Sequence, residues 1–138
     1  MDADIRARWD AALLDRSSEF VAAIRSVRHL SERYQRSSDK DQQHARIDKA
    51  HEQARVLGEQ LRLVGDRRVQ IAGRRVIRHI YAVRVHGEEG IDPHGGDYPD
   101  TTPIGRLNDA LQEFYRAVRE QLNARSPEDV VHDNELDK

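Results

Sequence analysis

Residues 47–64 carry apolar side chains at Ile47, Ala50, Ala54, Leu57, Leu61 and Val64, an unbroken alternation of three and four. That spacing is the mark of a helix lying nearly parallel or antiparallel to its neighbours. Gly65-Asp66 then interrupts it, and a second apolar series follows at Val69, Ala72, Val76, Ile80 and Val83. With so short a connection the two helices must be adjacent and antiparallel. The second of them carries Arg67, Arg68, Arg74, Arg75, Arg78 and Arg84, with no acid between Val69 and Gly87. On a 100° helical wheel Arg67, Arg74 and Arg78 project opposite the apolar series, with Arg68 and Arg75 beside them.

Two more helices complete the set. Leu13, Phe20, Val27 and Tyr34 recur every seven residues, with Trp9, Ala23 and Leu30 between them and Ile24 widening the stripe. The pattern predicts a first helix over 4–36, the longest in the chain, with Arg16 as a break and Ser17-Ser18 as a weak point. Ser37-Ser38-Asp39 reads as a turn and cap before the second helix at 40–64. The third is expected over 67–85. The stretch 87–102, with four glycines, two prolines and five acids, has no helical period and reads as a long, flexible acidic loop. Thr102 then caps a fourth helix, with Pro103 in its first turn and Leu107, Leu111, Phe114, Val118 and Leu122 facing inward. The expected fold is all-α, an antiparallel up-and-down four-helix bundle over 1–125, followed by an acidic, disordered tail over 126–138.

The bulk numbers agree with helices of this kind. At 138 residues the chain is one domain; 37% apolar residues allow a modest core, and 35% charged residues suit solvated outer faces. Aromatics are 5%, too few for a β-rich domain. The stretch 128–138 sets five acids against Lys138 and carries a net charge of −4, which leaves the remainder at +2. Of 23 basic residues, 20 are arginine, a skew that a high-GC coding sequence also produces. There is no cysteine, no apolar run of membrane-spanning length and no apolar leader, so a cytoplasmic protein without a membrane partner is expected.

Chemistry is harder to find. Asp41-x-x-His44 and Asp48-x-x-His51 place carboxylate and imidazole on one helical face, but the histidines stand roughly 10.5 Å apart along the axis, too far for one metal ion. These two, with His79 and His86, are expected beside the seam as solvated or partly packed side chains. Glu88, Glu89, Asp92, His94 and Asp97 lack calcium-loop spacing. No metal or cofactor is expected. Arg74, four intervening residues and His79 resemble the motif of the HEPN-superfamily ribonucleases, although Arg75 stands where a small polar residue is usual. That resemblance implies proton transfer by His79 and anion stabilisation by Arg74.

A broader likeness rests on Arg8-Trp9, Phe20 with Ala22-Ala23, Leu61-Arg62-Leu63-Val64-Gly65, Val69 with Ile71-Ala72, and Phe114 with Val118-Arg119. Over about residues 8–122 the chain resembles a loose group of uncharacterised helical-bundle proteins from high-GC bacteria. The resemblance implies a bundle and no known activity. The acids usual after the glycine in that group are replaced here by Arg67 and Arg68. The function expected is therefore non-catalytic, an interaction or scaffold module that self-associates or takes a protein partner. Its contact residues would be Arg67, Arg68, Arg74, Arg75, Arg78, the 87–102 loop, or Trp9. Trp9 either closes one end of the core or, if exposed, marks a partner contact. Nucleic-acid binding by the arginine face is the alternative, with salt-sensitive phosphate contacts but only Tyr81 for base stacking.

Overall fold

The computed structural model describes residues 2–123 and is all-helical over them. Helix α1 spans Ala3–Glu32, α2 Lys40–Val64, α3 Arg67–Glu89 and α4 Pro103–Asn123, with a short 3-10 turn at Tyr34–Arg36. The stretch 126–138, expected as an acidic tail, lies outside the described residues.

Capping follows the sequence. Asp2, Asp39 and Asp66 each accept a backbone N–H from the first turn of α1, α2 and α3, and Thr102 Oγ1 accepts from Gly105. The apolar stripes meet in one core. Leu13, Phe20, Ile24 and Val27 of α1 join Ile47, Ala54 and Leu61 of α2, Val69, Val76 and Ile80 of α3, and Leu107 and Phe114 of α4. Phe20 and Phe114 cross at its centre, ring centroids 5.2 Å apart. Each such side chain contributes roughly 1.5–3 kcal/mol through burial. α1 packs chiefly on α2, α4 chiefly on α3, and α1 and α3 join the two pairs.

Four expectations need correcting. Helix α1 ends at Glu32 rather than Arg36, because the chain tightens into the 3-10 turn, where Ser37 N–H bonds to Tyr34 O at 3.1 Å. Helix α3 continues past Val85 to Glu89. Gly87 is inside the helix, where a Cβ would collide with the carbonyl of Ser31, so this glycine permits a close approach. The residue that stops α3 is Gly90, in the left-handed region at φ 75°. Gly65 does not use that region: its φ is −94°, and it is small because a Cβ would stand 2.6 Å from Val69 Cγ1. Finally, Trp9 does not close the core. It is 42% exposed, as is Ile5 at 44%, and the first buried residue of α1 is Leu13. The first turns of α1 project beyond the packed region.

The two helical glycines of α3 make opposite predictions. Gly87→Ala should lower stability by about 1–3 kcal/mol through the clash with Ser31. Gly73→Ala, whose Cβ would meet only Phe114 Cε1 at 3.8 Å, should raise it by up to about 1 kcal/mol. Urea denaturation of the two variants checks both signs.

Candidate functional site

The arginines of α3 divide between two edges. On the edge facing α4, Arg68 pairs with Glu120, Arg75 with Glu113 at 2.9 Å, and Arg78 with Asp97 of the connecting segment at 3.4 Å. On the edge facing α2, Arg67 and Arg74 are exposed and have no acidic partner among the described residues. Arg84 is not on the outer face at all. Its side chain is only 15% exposed, and its guanidinium meets Asp48, Glu88 and His51. The six-arginine face read from the sequence is thus three paired cations, one half-buried cation and two free ones.

The free edge borders a groove. Between α2 and α3 lies a cleft of about 370 Å³, floored by Gly58, Leu61, Val69, Gly73 and Ile77. It exists because glycine stands at 58 and 73, where the two helices would otherwise fill the space with side chains. Through the gap at Gly58 the ring of Phe20 is 3.4 Å from where a Cβ would be. The rim is Arg55, Arg62 and Arg74, with Glu59 and Gln70. Glu59 bonds only Arg62, at 3.1 Å and in full view of solvent, a contact of little energetic weight. Arg67 continues the rim two turns before Arg74. Apolar floor and cationic edges together fit an amphipathic, acidic surface better than a bare phosphate chain.

Two polar clusters flank α3. In the first, Arg84 Nη1 donates to His51 Nδ1 at 3.0 Å and Nε donates to Glu88 at 3.2 Å, while His44 lies 3.1 Å from Glu88 and 3.4 Å from Asp48. Arginine can only donate, so His51 Nδ1 must be the unprotonated nitrogen. Burial pushes the His51 imidazole down to about 4, assisted by the charges of Arg55 and Arg84 and opposed by Asp48. The bond from Arg84 holds the Asp48 carboxyl below its usual range. In the second cluster, Arg106 is buried and donates to Asp92 at 2.7 Å and to Thr101 Oγ1 at 3.3 Å, with its guanidinium 5.2 Å from the centre of the Tyr98 ring. That bond from Arg106 lowers the Asp92 pKa. Tyr98 in turn packs on buried His79, whose pKa is lowered by burial and by nearby Arg106.

These clusters overturn two expectations. His51 and His79 are core histidines, 3% and 8% exposed, because each is covered by a partner from the next element. The acids read as a flexible loop are held: Glu88 ends α3 against Arg84, and Asp92 and Asp97 are fastened to Arg106 and Arg78. Arg74 and His79 do not converge. Five residues apart they differ by roughly 140° around the helix; Arg74 edges the groove and His79 is buried under Tyr98. Among the described residues no group of three or more histidines and acids is placed to hold a metal ion. No helix among them is long and apolar enough to cross a membrane.

Three site arginines escaped the sequence reading. Arg55 and Arg62 sit on α2, away from the run that drew attention. Arg106 had a readable signal: a cation in the first turn of a helix opposes the helix dipole, so it needs a partner elsewhere. Comparisons with family models, curated proteins and solved structures found no match.

The buried histidine gives a pH dependence of known sign. Below the ordinary imidazole value near 6.5 the unfolded chain takes up a proton that folded His51 refuses. Stability should therefore fall by up to about 3 kcal/mol as pH drops from about 6.5 to about 4, with His79 acting in the same direction. Asp48 and Asp92, whose values are lowered from 3.8, act only below that window, as their carboxylates take up protons. His51→Gln should flatten the melting temperature between pH 6.5 and 4; an unchanged slope would refute the assignment.

Proposed function

We propose that this chain is a non-catalytic interaction module that takes an acidic, amphipathic helix of a protein partner into the α2/α3 groove. The reading includes an antiparallel, up-and-down order of the four helices. Bonds between α1 and α4 running in reverse register support it: Arg28 donates to Asn108 at 3.0 Å, and Arg25, one turn earlier, donates to Tyr115 at 3.2 Å, two turns later. The single observation that carries the function is the pairing of an apolar floor at Gly58, Leu61, Val69 and Gly73 with a rim of Arg55, Arg62 and Arg74. A helix laid there buries its apolar face and meets cations on both edges.

Nucleic-acid binding is the less supported reading. Arg68, Arg75 and Arg78 are already engaged by acids, which halves the expected phosphate-binding face. No aromatic side chain lines the groove to stack a base. The divergence of Arg74 from His79 counts against ribonuclease chemistry. An intracellular location is part of the same proposal.

The test is fluorescence anisotropy with two labelled probes. One is a helical peptide with leucine at i, i+4 and i+7 and glutamate along both edges; the other is a single-stranded RNA of 20 nucleotides. The peptide should bind, and Arg55→Glu with Arg74→Glu should weaken it at least tenfold, while Arg68→Glu with Arg75→Glu changes it less than twofold. RNA binding that falls steeply with salt, with no binding of the peptide, would replace this reading by the nucleic-acid one.

A further inference from the structure

A second, larger groove lies between α1 and α4, about 580 Å³, and closes where Arg25 bonds Tyr115. Leu14, Ser17, Ser18 and Ala22 form its α1 wall, and Arg25 and Arg119 stand at its edges. Leu14 is 48% exposed, while the hydroxyl of buried Ser17 has no hydrogen-bond partner.

Helix α1 carries a stripe that matches this groove. Asp4, Ala7, Ala11, Leu14, Ser18, Val21 and Arg25 follow one another at alternating steps of three and four, on a side of the helix distinct from its core stripe of Leu13, Phe20, Ile24 and Val27. The stripe has an acid at one end, an arginine at the other and small residues between. Its first half, up to Ala11, belongs to the turns that project beyond the core; its second half lines the groove. The projecting length, residues 3–12, is about 15 Å, and the groove wall from Leu14 to Arg25 is about 16 Å.

We infer that two copies of the chain pair through α1. They run antiparallel about a two-fold axis at Leu14, and the projecting segment of each lies along the α1/α4 groove of the other. Antiparallel pairing sets Asp4 of each copy against Arg25 of the other, Ala7 against Ala22 and Ala11 against Ser18. The charges meet twice because the contact is isologous, and the alanines and serines let the helices approach closely. Trp9 lies roughly 160° away from the middle of the stripe and stays outside the seam.

The absence of cysteine makes the axis easy to probe. Under mild oxidation of the full chain, Leu14→Cys should give a disulfide-linked dimer in high yield, and Trp9→Cys should not. Sedimentation should show dimers for the native chain, and Ala11→Arg, at an exposed site in the single chain, should weaken association at least tenfold with an unchanged circular-dichroism melt. Asp4→Arg should weaken it and Asp4→Arg with Arg25→Asp should restore it. A monomer at 100 µM, crosslinking through Trp9→Cys but not Leu14→Cys, or an Ala11→Arg dimer of native affinity would overturn the inference.

Discussion

The corner at Gly65-Asp66 is the constraint from which the groove follows. No loop residue separates Val64, the last residue of α2, from a glycine that cannot bear a Cβ and an aspartate that already caps α3. Gln121 of α4 fastens the corner from outside, accepting from Asp66 N–H at 2.7 Å and donating to Val64 O at 2.9 Å, while Gln70 donates to Gly65 O at 3.0 Å. A connection so short and so fully bonded fixes α2 beside α3. It thereby puts Arg55 and Arg62 opposite Arg67 and Arg74, with two glycines leaving the space between them open.

Charge is distributed by the same geometry. The acids of α4 and of the segment before it lie along one edge of α3 and take Arg68, Arg75 and Arg78. Exposed pairs of this sort add little stability, but they leave that edge near neutrality. The α2 edge has only Glu59, and Glu59 already faces Arg62. Two interior arginines serve differently: Arg84 and Arg106 are covered, each bonded to carboxylates, and removing either carboxylate would strand a buried charge. Arg106 also explains why the connection to α4 is held in place, since it gathers Asp92, Thr101 and the ring of Tyr98 around one guanidinium.

Much of the fold was legible. The 3-4 stripes located all four helices, and the caps Asp39, Asp66 and Thr102 were read in advance because their chemistry is local. What the sequence hid was pairwise. Gly87 looks like a loop residue until Ser31 is seen beside it, and His51 looks solvated until Arg84 covers it. Of the site, Arg67 and Arg74 were named, but so were Arg68, Arg75 and Arg78, which a helical wheel cannot tell apart without knowing where the acids of α4 fall. Arg55 and Arg62 were passed over because a rim formed by two helices has no signature on either alone. The exposure of Trp9 was open on sequence, since a stripe does not say where the neighbouring helices stop.

The central claim is that the α2/α3 groove receives the partner. Its floor glycines make good reporters, because Gly58 and Gly73 lie in the groove while Gly87, Gly90, Gly95 and Gly96 lie away from it. The most direct measurement is a two-dimensional amide NMR titration of the full chain with the acidic helical peptide. The account predicts large shifts at Gly58, Gly73 and Gln70 and none at Gly90, Gly95 or Gly96. Shifts confined to residues 90–102, or spread along the α4 edge at Arg68 and Arg75, would contradict it.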